Sequence, residues 1–335
     1  MKIGLFLNTQ SQGNDNLAQQ IKDSVEQTRA ARDAGFDLIG CGEHYLSAPY
    51  QMAASLPFLA RMAAEAGDMQ VAASVLLLPL HNPVALAESL ATMDAICDGR
   101  FVFGIGLGYR DEEYGSFGVT SKERVGRMRE VLEATKLLLT QDEVEYNGKY
   151  FQIGKTKTTT RTVQQPHPPV WVAANADIAI CRAARWGYAW LINPHATMTT
   201  VAGQLAMYKD ELTKANQPMP ADLPMMREMY VADDRDAAFA ESKPFLEGKY
   251  AAYASWGQDK ALPGEESFSV PYKDLARDRF LLGSADDVVK EIKRYDEDLG
   301  VNYLVFRMQW PGMPQAKALE QIERMGRDVI PRLKD

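Results

Sequence analysis

The sequence predicts an α/β protein, a (β/α)8 TIM barrel with a β-hairpin insertion and a late lid loop, as one domain over residues 1–335. Two observations predict it. Short apolar runs rich in β-branched and aromatic residues alternate about eight times with longer segments of helical period, the pattern of buried parallel strands and their crossover helices. No Pro/Gly-rich linker divides them, and 335 residues at 46% hydrophobic are enough for one barrel core. A two-domain Rossmann arrangement is the main alternative.

The elements follow in order. KIGLFLN (2–8) leads to a helix from Leu17 with Ile21 and Val25 on one face, and FDLIGCG (36–42) leads to MAASLPFLARMAAEA (52–66). MQVAASVLLL (69–78) precedes PVALAESLATMDAI (83–96), where Pro83 suits a first helical turn. RFVFGIG (100–106) precedes a helix that begins near Ser121 and carries Val125, Met128, Leu132, Thr135 and Leu139 at 3/4 spacing. In the insertion 143–153, Asn147-Gly148 between apolar alternations signals a two-residue hairpin turn. PPVWVAAN (168–175), GYAWLIN (187–193), PMMREMYV (224–231) and VNYLVFR (301–307) are strands five to eight. The stretch 257–274 has Gly, Pro and mixed charge but no period, as a lid over an active site would.

Composition narrows the function. A net charge of -8 disfavours nucleic acid and anionic membrane surfaces, leaving a small-molecule partner. Cys41, Cys97 and Cys181 have no C-x-x-C spacing, which argues against a disulfide framework or zinc knuckle and for a reducing cytoplasm. The first ten residues are too short for a signal-peptide core, and no apolar run approaches the roughly 18 residues that span a bilayer, so a soluble protein is expected. No H-x-H follows the first strand and no H-E-x-x-H occurs, so no metal site is expected.

Barrel chemistry lies at strand C-terminal ends. FGIGLGYRDEEYGSFG (103–118) looks like a dinucleotide turn, yet G-x-G-x-x-G puts Tyr109 or Asp111 at its third glycine. Its glycines then mark either a strand stripped of side chains against a flat ligand or layer packing inside the barrel. At the second strand end Glu43 and His44 stand together; alternation sends one into the mouth and the other to the wall, and His44 is the acid/base candidate. His81, His167 and His195 are expected in loops. After strand five, Asn175 can cap a helix whose first N–H groups, at Ala176, Asp177 and Ile178, could cradle a phosphate or simply begin an ordinary helix. Arg124 and Arg127 are the nearest cations. Tyr109, Trp190, Trp256 and Trp310 read equally as an aromatic pocket wall for substrate or as core.

In this order, MKIGLFLN, GFDLIGCGEHY, VAASVLLLPLHNPVALAE, DGRFVFGIGLGYRDEEYGSFG and QPHPPVWVAAN resemble the bacterial luciferase-like family of flavin-dependent monooxygenases. The resemblance covers residues 1 to about 193 and resumes at RFLLGSADDV and the end of strand eight. It implies a barrel with reduced FMN across its mouth, dioxygen adding to the flavin, and the hydroperoxide oxygenating a small organic substrate. Carried over residue by residue, His44 matches the catalytic histidine, with Glu43 beside it at the cofactor site. Ser74-Val75 falls at a non-prolyl cis peptide under the ring, Gly106 and Leu107 beside the ring, and Asn175, Ala176, Asp177 and Arg124 around the phosphate. Asn-Ala stands where luciferases usually have Glu-Ser, and Leu107 where they have Arg, which leaves weaker phosphate binding or another flavin open. The resemblance also implies a separate flavin reductase and a homodimer, here through the helices at 52–66 and 83–96, which are apolar around much of their circumference. A deazaflavin-dependent hydride-transfer oxidoreductase on the same fold is the alternative, and a non-catalytic flavin- or ligand-binding barrel the third.

Overall fold

Apolar strands buried on both faces pair in parallel, because no edge or face is left for water. The structure, a computed structural model, describes residues 1–258, 262 and 267–334. Its strands are β1 (Lys2–Phe6), β2 (Gln10–Gln12), β3 (Leu38–Cys41), β4 (Tyr50–Met52), β5 (Gln70–Leu77), β6 (Phe101–Gly106), β7 (Glu143–Asn147), β8 (Gln152–Lys157), β9 (Val170–Ala173), β10 (Ala189–Leu191), β11 (Pro224–Val231), β12 (Leu281–Gly283) and β13 (Tyr303–Arg307). The helices are α1 (Leu17–Asp33), α2 (Ser55–Ala63), α3 (Pro83–Ile96), α4 (Asp111–Ser116), α5 (Arg124–Thr140), α6 (Asp177–Arg185), α7 (Met198–Lys214), α8 (Arg235–Ser255), α9 (Tyr272–Ala276), α10 (Ala285–Leu299), α11 (Gln315–Arg324) and α12 (Pro331–Lys334).

Among the described residues nine strands form one parallel sheet, in the order β10-β9-β6-β5-β3-β1-β13-β11-β12. The sheet curls, so that Ile192, just past β10, bridges Met225 of β11 in parallel: Ile192 N–H donates to the Pro224 carbonyl (2.8 Å) and Met226 N–H to the Ile192 carbonyl (2.9 Å). Side-chain alternation divides the core in two. Phe6, Leu38, Ala72, Val102, Trp171, Leu191, Met226, Tyr303 and Val305 pack together inside the curl. Their strand neighbours, such as Leu5, Ile39, Val71, Phe103 and Leu304, belong to the larger core with the helices.

Several boundaries depart from expectation. The segment 52–66 is helical only over Ser55–Ala63, because Tyr50–Met52 pairs antiparallel with Gln10–Gln12, which carries Gln10 and Met52 over the strand ends. Glu143–Asn147 pairs antiparallel with Gln152–Lys157, so this ribbon runs past residue 153. The short β12 pairs with β11 ahead of α10, a strand of three residues with too little period to find in sequence. Of the stretch 257–274, residues 259–261 and 263–266 lie outside the described residues, while its end is not loop, since α9 begins at Tyr272. No described helix is long and apolar enough to cross a membrane.

Candidate functional site

A cavity of about 290 Å³ opens at the C-terminal ends of the strands. It collects Glu43, His44, Ser74, Val75, Gly106, Leu107, Tyr109, Asn175 and Ala176 from four strand ends and Arg124 from the start of α5, together with residues from β2, β10, α8 and β13.

Its floor is shaped by backbone. The Ser74–Val75 peptide is cis, and the β5–β6 register shifts between Ala73 and Leu76. A Cβ on Gly104 would collide with the Ala73 carbonyl oxygen, and one on Gly106 would lie 2.5 Å from Val75 Cγ2. Gly104 therefore makes room for the neighbouring strand's backbone, the packing alternative, while Gly106 packs against the Val75 side chain and also lines the cavity. Gly108 has φ +79° and turns the chain toward α4. Here the expectation of a loop up to Ser121 fails, since α4 begins at Asp111 with Asp111, Glu112 and Glu113 in its first turn. Three carboxylates at the positive end of a helix stabilise even so short an element.

Glu113, which nothing in the sequence reading singled out, is what α4 delivers. It is 1% exposed; its Oε1 lies 2.9 Å from His44 Nδ1 and accepts from Tyr45 N–H at 2.8 Å. Arg110 stands 3.6 Å away and donates to the carbonyls of Tyr45 (2.9 Å) and Leu46 (3.1 Å). A carboxylate on Nδ1 fixes the imidazole tautomer and leaves Nε2 as the acceptor. The His44 ring meets Tyr109 edge-on at 5.4 Å and lies 6.3 Å from Trp256.

Glu43 touches the same cavity, but its carboxylate is engaged with the wall. Oε2 accepts from Leu77 N–H (2.8 Å) and lies 2.8 Å from His81 Nε2, and Oε1 accepts from the Tyr45 hydroxyl (3.0 Å). Burial pushes the Glu43 pKa up, yet the His81 hydrogen bond, with those of Leu77 and Tyr45, outweighs it and holds the carboxyl below its usual range. His81 is thus a wall residue paired with Glu43. Like His81, which precedes α3, His195 lies in a loop as expected, here between β10 and α7, but it is turned inward. It is 4% exposed at the cavity edge, and burial foremost, then Lys249 and Arg307, push its pKa well below the ordinary imidazole value. His167 is a loop residue too, its Nδ1 2.8 Å from the Pro168 carbonyl oxygen.

At the far side, α6 begins without a side-chain cap. Ala176 is its N-cap, so Asn175 does not cap it as expected. The Asn175 carbonyl and the Asp177 carboxylate both accept from Gln204 Nε2, at 2.8 and 2.9 Å, which turns Asp177 away from the cavity it was expected to share. Arg124 lines the cavity 6.0 Å from the Tyr114 ring, and among the described residues no carboxylate pairs with it. Arg127 is held by the Pro79 carbonyl (3.0 Å) and the Phe151 ring (4.7 Å).

The expected aromatic wall separates. Tyr109 lines the cavity and donates to Gln258 Oε1 at 3.4 Å; Trp256 stacks on Tyr253 (5.5 Å) behind His44. Trp190 is fully buried, its Nε1 donating to the Ala174 carbonyl at 2.9 Å, and it is core. Trp310 is core as well, donating to Glu228 Oε2 at 2.5 Å. Tyr253, Asn193, Gln10 and Arg307 were missed, although Asn193 and Arg307 end the strand runs GYAWLIN and VNYLVFR, where the strand-end rule points. Among the described residues no cluster of three or more His, Cys, Asp or Glu could hold a metal ion.

Residues 1–302 match the model of the luciferase-like monooxygenases. The oxygenase component of a flavin-dependent trigonelline monooxygenase from Acinetobacter baylyi is 26% identical, over 99% of this chain and 95% of its own. An F420-dependent glucose-6-phosphate dehydrogenase from Amycolatopsis mediterranei is 27% identical, over 93% and 95%. The crystal structure of monooxygenase RslO1 from Streptomyces bottropensis shares the fold, with a TM-score of 0.87 at 23% identity, covering 99% of this chain and 100% of that one. With nine-tenths of its length matched by the family model, the chain belongs to the luciferase-like monooxygenase family.

Proposed function

We propose that the protein is a flavin-dependent monooxygenase that uses reduced FMN and dioxygen to oxygenate a small organic substrate, and that its curled sheet is a (β/α)8 barrel in one domain. One observation carries the cofactor assignment: the cavity is bipolar, with a carboxylate-free arginine and an uncapped helix start at one end and the Glu113–His44 pair at the other. A flat ring bearing a phosphate chain suits such a shape. Ser74 Oγ is buried on the cavity with no partner among the described residues, so a ligand atom can satisfy it.

Ser74, Val75, Gly106 and Leu107 would hold the ring, and Arg124, Asn175 and Ala176 the phosphate, with α6 N–H groups adding the helix dipole. The bound reduced flavin supplies the electrons that activate dioxygen. His44 Nε2 accepts or returns the substrate proton while Glu113 holds the ring in place. Tyr109, whose pKa is pushed well above its ordinary value by burial, then by Tyr253 and Glu113, stays a neutral donor. With Gln258 it helps to exclude water. The chain has no nicotinamide fingerprint, and one relative is named an oxygenase component, which supports a separate reductase in the cytoplasm as the source of reduced flavin.

The F420-dependent relative supports the second reading, deazaflavin hydride transfer. Anaerobic titration with reduced FMN and with reduced deazaflavin, followed by admission of oxygen, separates them. Tighter FMN binding, with reoxidation slower than that of free FMN, is the expected result. Preference for deazaflavin supports hydride transfer instead, and FMN that binds but reoxidises as in free solution leaves a ligand-binding barrel.

The homodimer is proposed through α2 and α3. Val84 and Ala85 at the start of α3 and Ala95 and Ile96 at its end are exposed, Val84 and Ile96 at 44% and 46%, with Glu88 and Thr92 exposed between them, and these apolar ends are the proposed two-fold contact. Sedimentation at micromolar concentration should return twice the 37.3 kDa chain mass, and a monomer removes this interface.

A further inference from the structure

The cavity carries two arginines that pair with no carboxylate among the described residues, Arg124 and Arg307, and a cofactor with one phosphate accounts for only the first. Arg307 ends β13, four strands from β6 in the order of the sheet. Its guanidinium lies 4.2 Å from the Phe6 ring, and Nη1 donates to the Tyr253 hydroxyl at 3.0 Å. That hydroxyl donates in turn to Gln10 Oε1 at 3.2 Å, so the arginine is braced by groups that are themselves neutral. Nη1 is the only one of its nitrogens with a hydrogen-bond partner among the described residues, and Nε is buried without one.

The neighbouring carboxylate makes no hydrogen bond to the arginine. Glu228, opposite Arg307 in register, gives Oε1 to Lys249 and Oε2 to Trp310. Burial acts first to lower the Arg307 pKa, but Tyr253 and Glu228 more than offset it, and the group stays cationic.

A second donor without a partner points into the same cavity. Asn193, at the end of β10, uses Oδ1 to accept from the N–H groups of His195 (2.8 Å) and Ala196 (3.1 Å), which fixes the amide orientation. Nδ2 is left buried and unpartnered. Strands β10 and β13 flank β11, whose Met226 lines the cavity between them. Arg307, Tyr253 and His44 all line the cavity, with Trp256 behind them, stacked on Tyr253 and 6.3 Å from the His44 ring.

We propose that Arg307 and Asn193 form the subsite for a carboxylate on the organic substrate, so that the enzyme selects organic acids and holds their apolar body along Tyr253 toward His44. This rests on the assignment of the cavity as a substrate site. A planar carboxylate meets the forked guanidinium with charge-assisted hydrogen bonds that a neutral amide cannot match.

The test needs no cofactor. Tryptophan fluorescence of the full chain is titrated with benzoate against benzamide and with hexanoate against hexanamide. Each carboxylate should bind about tenfold or more tightly than its amide. Arg307→Gln should erase the preference while changing affinity for reduced FMN by less than about twofold, and Arg307→Lys, should the first variant not fold, should keep a reduced preference. Equal or tighter amide binding, no binding by any of the four probes, or a preference that survives in Arg307→Gln overturns the proposal. Failure to bind reduced FMN would instead overturn the cofactor assignment and leave an Arg307-dependent carboxylate preference standing.

Discussion

Replacing His44 with alanine should lower substrate oxygenation about 10²–10⁴-fold, the range of a positioned acid–base group, and should change affinity for reduced FMN by less than about twofold. The separation follows from geometry. His44 is fixed at Nδ1 by Glu113 and faces Tyr109 and Trp256, whereas the end of the cavity proposed to hold the phosphate is lined by Arg124 and the start of α6. A cofactor-binding residue would weaken both measurements together, and a structural one would lower the melting temperature. Single-turnover product yield, reduced-FMN titration and thermal denaturation on one preparation therefore tell the three apart. Product yield equal to that of the unaltered protein would end the role assigned to His44.

The parts of this site that a sequence can show are those whose signal is local. Eight apolar runs announce the parallel strands because burial on both faces leaves each run almost uniformly hydrophobic, as in β6 and β11, where every residue is buried. His44 stands out because it ends such a run. Glu113 does not, since its partner is 69 positions away and its own neighbourhood, DEE, looks like a solvated face. The glycines of FGIGLG are plain in sequence, but what Gly104 and Gly106 accommodate, the Ala73 carbonyl and the Val75 side chain, belongs to β5, a different strand. Trp190 and Arg307 are matched opposites. Both belong to strand runs and both are large, and only the pleat decides that the tryptophan enters the core while the arginine reaches the cavity. A one-residue uncertainty in a strand boundary reverses that choice, so side-chain direction is lost before the strand itself is.

Lys249→Met should destabilise the protein by about 3–5 kcal/mol at pH 6, a large share of the 5–15 kcal/mol that holds a domain folded. Lys249 and Glu228 are both fully buried and in direct contact, and Trp310 occupies the other carboxylate oxygen. Removing the cation leaves a buried carboxylate without its partner. Glu228→Gln with Lys249→Met removes both charges and should recover most of the loss, which urea denaturation of the two variants measures directly. A cost below about 1 kcal/mol for the single variant would show that the pair is not the anchor of this layer. The pH dependence supplies a second readout. Burial, then Arg307, push Lys249 down from 10.5 to about 7 against the attraction of Glu228. Between pH 7 and 10.5 the unfolded chain therefore holds the proton more tightly than the folded one. Stability rises with pH wherever the unfolded state binds more protons, so this lysine gives the unaltered protein a rising contribution across that window, with a slope of at most about 1.4 kcal/mol per pH unit. Lys249→Met should lack the rise. Glu228 acts in the opposite range, since burial raises its pKa but Lys249 and Arg307 bring it below the usual carboxylate value. Its contribution is present above about pH 4.5 and is lost on further acidification, and since Lys249 is the first group holding this carboxyl down, Lys249→Met should lose that contribution as Glu228→Gln does.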